Sequence, residues 1–400
     1  MRWELKKLFS SRLMLVCIIV TAILFGVFVF RSVKYYSIGN EVIDERCRFI
    51  AEVSEGRSRT EIAAFISQRI IELNEKISAY ENEPPIELMN ELFMCINVQN
   101  KLAYIEKEFP KHRRALISNA IAAAERERMK PEPDQSVITL NELAAEKYNR
   151  IIDLKLTESG KLRDLLISLD NIYWDYAMLL LAVIIAVRMF TLDRTCGAYR
   201  VLNTKIKSRG RLFLSQLLSA FSVTAVIIIL TAVCQLTVGM TCFGISDLSL
   251  PIQQFEGFEH CPHSVTLGGF LFIKLVMKLL FYLFVTAFAA MLTVLLKKPQ
   301  TALPAASLAV ILPQILMTVL FVYTTEENAS ALDGRYIAFD RLRCILPQSF
   351  LNLKTYFFRF DYVTVFGIAL PRMICAAAVT CGLTAVCIFT AYRKFARPAR

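Results

Sequence analysis

Charge is what this chain has least of. Only 20% of its 400 residues are Asp, Glu, Lys or Arg, against roughly a quarter in ordinary soluble domains. Apolar residues make up 55% and the mean hydropathy is +0.47, so the chain reads as an integral membrane protein. Catalytic equipment is also missing. There is no G-x-x-x-x-G-K-[ST] phosphate loop to cradle a nucleotide, and nothing resembles a nucleophile elbow, a catalytic triad or a Gly-rich cradle. Metal-ligand atoms crowd together only in Glu259-His260-Cys261-Pro262-His263, a single short cluster without the second half that zinc spacings require. No catalytic, cofactor-binding or metal residue is therefore assigned, and the chain is not read as an enzyme. Eleven cysteines fall mostly within apolar runs, where thiols behave as small apolar groups. Cys47, Cys95, Cys242, Cys261 and Cys344 lie outside them; that odd number argues against a full disulfide framework, although Cys242 could pair with Cys261.

What the chain does have is six apolar runs of membrane length, about 20 residues each: 13–30, 172–190, 212–238, 267–296, 301–323 and 368–392. The second is among the shortest. The first follows Arg2, Lys6, Lys7 and Arg12, yet bulky Phe28, Val29 and Phe30 stand where a signal peptide would need small residues. It reads as an uncleaved anchor. Lys and Arg then set the orientation, because cytoplasmic connections carry the excess of positive charge. With both ends inside, residues 1–12, 188–211, 297–300 and 393–400 together hold 17 Lys/Arg and two Asp/Glu, whereas 239–266 and 324–367 hold five and eight. The net charge of +11 is thereby used for topology and for attraction to anionic membrane lipids, not for nucleic acid.

Residues 31–171 form an insert with 21 bases and 24 acids, a balance that suits an extracytoplasmic domain. Apolar residues recur at helical spacing in Ile62, Phe65, Ile66, Ile70, Leu73 and Ile77, and again in Leu92, Phe93, Ile96, Leu102 and Ile105. Further helix is expected over 115–129 and 140–169, with Pro84, Pro85, Pro110, Pro131 and Pro133 as punctuation. The expected fold is all-α: a polytopic membrane protein with six transmembrane helices and a helical extracytoplasmic domain between the first two.

The short basic segment DRTCGAYRVLNTKIKSRGR carries a family resemblance. Over 188–211 it holds seven Lys/Arg against the single acid Asp193. The chain resembles the permease subunit of the type-2 ABC exporter (ABC-2 transporter) class. Residues 1–12, Trp3 to Arg12 above all, resemble that family's cytoplasmic elbow helix, and residues 191–211 its coupling segment. Asp193 stands for the acid, Gly197 for the Gly, Val201 and Leu202 for the apolar turn, Thr204 for the hydroxyl and Ser208-Arg209 for the Ser-Arg pair. Ala198, Ile206 and Gln216 stand where the family usually has Thr, Pro and Lys.

The resemblance implies an exporter moving a peptide, lipid or drug-like substrate outward across a bacterial plasma membrane. Two copies of a separate ABC ATP-binding subunit and a second permease, as homodimer or heterodimer, are the implied partners, with no cofactor. Candidate coupling residues are Asp193, Gly197, Arg200, Leu202, Thr204, Lys205, Ser208 and Arg209. The bases there are alternatively plain lipid-surface anchors. Two rival readings are a mechanotransmission subunit that drives its ectodomain without translocating substrate, and a receptor or scaffold that needs no ATPase.

Charges within the runs are costly, roughly 2.5–3.5 kcal/mol each on insertion scales. Lys274 and Lys278 share one face of the fourth run. They line an anion-accepting vestibule, or that helix begins at the interface and both stay near head groups. Asp175 and Arg372 read as end anchors, beside the aromatic belt of Tyr173, Trp174 and Tyr176. Residues 342–360 read as an amphipathic helix, either capping an exit or lying on the surface. Pro304 and Pro313 predict a kink in the fifth span.

Overall fold

The computed structural model describes residues 6, 8–9, 11–37, 40–80, 83–151, 153–157, 172–195, 209–242, 248–255, 257–325, 346–357 and 360–396. Six of its helices are long and apolar enough to cross a membrane: α1 (Arg12–Ser37), α7 (Ile172–Thr195), α8 (Arg209–Cys242), α9 (Leu267–Leu296), α10 (Pro299–Thr325) and α12 (Arg372–Ala396). The insert supplies α2 (Asn40–Ser54), α3 (Arg59–Ser78), α4 (Ile86–Ala103), α5 (Phe109–Arg128) and α6 (Gln135–Asn149).

The chain is an all-α polytopic membrane protein, with α7 at the centre of its bundle. α7 packs on α1, α8, α9 and α10, and 72% of its apolar window is buried, against 6% for α1. Apolar residues cover every side of α7, the signature of a helix surrounded by others. One of the shorter apolar runs is thus the best enclosed. α9 closes against α12, and α10 runs unbroken through Pro304 and Pro313.

Local chemistry sets the insert's helix ends. Ser58 caps α3: the Glu61 amide donates to its hydroxyl, and Glu61 Oε2 accepts the Ser58 amide at 2.7 Å, satisfying amides that the first turn would leave bare. Asp134 caps α6 by accepting the Ser136 amide at 2.8 Å. One small core joins Ile62, Ile66 and Leu73 to Cys95, Val98 and Leu102; a second joins Ile105 and Phe109 to Ala120, Ala144 and Tyr148. Pro110 does not interrupt the chain as its sequence context suggests. α4 continues into α5 through a single π-turn, Tyr104–Glu108, and this wider turn accommodates a residue that lacks an N–H and crowds the carbonyl four residues back.

The helix expected over 140–169 stops at Asn149, and residues 158–169 lie outside the described residues. Beyond Asn149, Ile151 and Leu154 stay buried while the backbone is neither helix nor strand. Side chains from other elements take over its hydrogen bonding: Arg113 donates to the Ile151 carbonyl, Arg59 to that of Leu154 at 2.7 Å, and the Gln254 amide to that of Lys155 at 2.6 Å.

Between α10 and α12 the expected amphipathic helix is broken into a 3-10 turn, Pro347–Leu351, and one helical turn, α11 (Lys354–Phe357). A hairpin follows, β1 (Tyr362–Val365) paired antiparallel with β2 (Ile368–Pro371). Residues 368–371, read from sequence as the start of the sixth span, are therefore strand, and the helix begins at Arg372.

Candidate functional site: the coupling end and the charged cavity

Two regions carry the charges singled out above, one at each end of the bundle. At the first, α7 ends and α8 begins on either side of residues 196–208. Phe190 of α7 meets Phe213 of α8 with ring centroids 5.3 Å apart. Phe213 in turn touches Tyr392 and Phe395 of α12 at 5.9 and 5.7 Å. Gly210 lies so close to this aromatic knot that a Cβ there would stand 2.6 Å from the Tyr392 hydroxyl. Arg188 of α7 donates to Ser11 Oγ at 3.2 Å, which ties the start of α1 to the same end.

Of the coupling candidates, Arg209 is the first residue of α8 and is buried, 6% exposed. Asp193 lies in the last turns of α7. Gly197, Arg200, Leu202, Thr204, Lys205 and Ser208 lie outside the described residues. The aromatic knot was missed in the sequence, although Phe190, Phe213, Tyr392 and Phe395 each sit at the end of an apolar run.

At the opposite end Lys278 and Asp175 form an ion pair. Nζ stands 2.6 Å from Oδ1, with side chains 14% and 4% exposed. Asp175 is thus no plain end anchor. Nor is Arg372, which pairs with Asp361 at 2.9 Å while its amide donates to the Asp361 carbonyl. The hairpin explains this second pair: registering Tyr362 with Pro371 brings the residues just beyond them together.

α9 has 30 residues, about 45 Å at 1.5 Å per residue, against a hydrocarbon core of about 30 Å. Its surplus length lets Lys278, about 16 Å from its start, stand level with the fourth residue of α7. That geometry favours the interfacial reading of the lysines. Lys274 and Lys278 also line a cavity of about 230 Å³ between α7, α8 and α9, so the vestibule reading keeps its physical basis.

Above the cavity, residues 248–266 fold into a compact loop. Gln253 donates to the carbonyls of Cys261 and His263 at 3.1 and 2.7 Å, and Thr266 caps α9 by accepting the Gly269 amide. The insert docks on this loop. His112 Nε2 and His260 Nδ1 share a hydrogen bond of 2.7 Å, Tyr148 donates to the His260 carbonyl, and Ser264 to that of Arg150.

His260 and His263 point to different neighbours. His263 lies among Phe357 and Tyr362, where burial, reinforced by the Lys147 charge, pushes its pKa down to about 4. Burial and then the His260 ring lower that of His112. Among the described residues no three His, Cys, Asp or Glu side chains gather as a metal site. Cys261 is a free thiol, pushed up to about 12 by burial, and is therefore a poor nucleophile.

A family model described as "ABC-2 family transporter protein" matches residues 95–351, from within α4 to the end of the 3-10 turn Pro347–Leu351. The chain belongs to that family. It is the membrane permease component of an ABC transporter, and the family implies partnership with an ABC ATP-binding subunit. No curated protein matches the permease, and no solved structure does. Permeases of this family are generally transport subunits without catalysis of their own.

Proposed function

We propose that this permease is the membrane subunit of an ATP-driven exporter that moves a peptide, lipid or drug-like substrate outward across a bacterial plasma membrane. Residues 191–211 are its coupling segment, both termini are cytoplasmic and the insert is extracytoplasmic. Two ATP-binding subunits and a second permease, identical or related, complete the assembly, with the pathway between the permeases.

One observation carries the reading. Residues 196–208 bridge two helix ends that pack directly on each other through Phe190 and Phe213, and one of those helices, α7, touches four other spans. A displacement applied to this segment therefore reaches the core of the bundle, not a peripheral helix. Stiff packed elements pass on such displacements, whereas loose loops absorb them.

The test is charge reversal at Arg200 and Lys205 in vesicles that hold the permease and its co-purified ATP-binding subunit. Arg209 is left alone because its burial would confound coupling with folding. Transport-coupled ATPase activity is expected to fall at least about tenfold, the equivalent of about 1.4 kcal/mol at the contact, with insertion unchanged. Full coupling in that variant would defeat the assignment.

The docking of the insert on the 248–266 loop through His112 and Tyr148 favours a second reading, a mechanical relay to the insert. An assembly that hydrolyses ATP and moves its insert, yet accumulates no substrate in inverted vesicles, would support the relay.

A further inference from the structure

The cavity between α7, α8 and α9 is bounded by apolar side chains such as Met178, Ile228 and Leu275, and two ammonium groups, Lys274 and Lys278, reach its wall. Among the described residues lining it there is no carboxylate. Its volume of about 230 Å³ falls short of the roughly 300–1,000 Å³ typical of sites for drug-sized molecules. It suits a slender chain. Phe272, 67% exposed, lines one side, so that side opens where the bundle faces lipid.

Each ammonium has three N–H donors. Lys278 can hold Asp175 at 2.6 Å and still offer donors to a ligand, and Lys274 can likewise serve more than one acceptor. Such a wall favours a molecule with an anionic head and an apolar tail. We propose that the cavity is a binding site for a monoanionic phospholipid of the surrounding bilayer, its phosphate at Lys274 and Lys278 and part of one acyl chain along Met178, Ile228 and Leu275. The site does not depend on the direction of transport or on substrate identity.

Trp174 lines the cavity and supplies the readout. The chain has two tryptophans, so Trp3→Phe leaves Trp174 as the single reporter. This variant is reconstituted in phosphatidylcholine vesicles containing either dibrominated phosphatidylglycerol or dibrominated phosphatidylcholine, whose bromines quench indole fluorescence on contact. The glycerol lipid is expected to associate about fivefold more strongly, the effect of about 1 kcal/mol per basic residue near an anionic head group. Lys274→Gln should bring the ratio close to one, while Lys274→Arg should keep it. The paired change Asp175→Asn with Lys278→Gln, which leaves neither partner stranded, should lower it by about half.

Equal quenching by the two lipids in the Trp3→Phe protein would reduce the cavity to an unselective apolar slot and overturn the proposal. So would a preference that survives Lys274→Gln, or complete absence of quenching, which would mean that protein rather than lipid fills the cavity.

Discussion

Asp175 of α7 and Lys278 of α9 are 103 positions apart in sequence and meet at 2.6 Å in a largely buried pair. Removing one partner leaves the other charge enclosed, whereas removing both together does not. Lys278→Met should therefore destabilise the permease by about 3–5 kcal/mol, and Asp175→Asn in the same chain should restore much of the loss. Thermal unfolding of the detergent-solubilised protein reads both; strictly additive single effects would argue that the pair is not energetically coupled.

Gly210 offers a sharper steric test at the other end of the bundle. A methyl group there would approach the Tyr392 hydroxyl to 2.6 Å and Cε2 to 2.9 Å, and Phe213 and its neighbours hold that ring. Gly210→Ala is expected to cost about 1–3 kcal/mol, the usual scale of overpacking. Tyr392→Ala should make the same alanine nearly harmless. Equal costs in both backgrounds would place the strain elsewhere.

Acid should loosen the capping loop. His263 has a pKa of about 4 in the folded protein, below its ordinary 6.5, because burial and Lys147 disfavour its cation. Between those values the unfolded loop binds more protons than the folded one. The contribution is fully present above about 6.5 and is lost as the pH falls toward 4, by up to about 3 kcal/mol. The lowered pKa of His112 acts in the same direction at the docking contact. Protection factors for amide exchange over residues 248–266, taken relative to the intrinsic rate at each pH, should fall from pH 7 to pH 4.5, and His263→Phe should flatten the profile. Unchanged protection across that range would contradict this account.

The hairpin tip gives a stabilising change. Phe366 has a φ of 51°, is fully exposed, and precedes Gly367 at 78°. Two positive φ values in a two-residue turn suit Asn-Gly, not a bulky aromatic. Phe366→Asn should raise stability by about 0.5–1 kcal/mol, within the range of similar backbone-compatible changes. A lower unfolding temperature would instead mean that the exposed ring has a partner.

The membrane-length helices were legible because twenty apolar residues in a row leave few other options. The central place of α7 was not legible, since its burial depends on which neighbours surround it and not on its own sequence. The hairpin was hidden because Ile368, Ala369 and Leu370 were read together with the apolar run behind them, although Gly367 and Pro371 punctuate the segment. Helical spacing of Ile151 and Leu154 with the residues before them suggested continued helix. Arg59, Arg113 and Gln254, distant in sequence, satisfy backbone carbonyls outside any helix there instead. At the site, opposite charges on Asp175 and Lys278 were visible, but their pairing depended on the relative height of α7 and α9, which hydropathy does not encode. Family membership was legible from the basic segment and is carried independently by the match over 95–351.

Only Lys297 and Lys298 separate α9 from α10, and Lys297 turns the chain with a left-handed backbone at φ 62°. So tight a reversal offers a companion protein almost no surface to grip. If the proposed coupling role of the stretch joining α7 to α8 holds, the α9–α10 reversal is a pivot and not a handle.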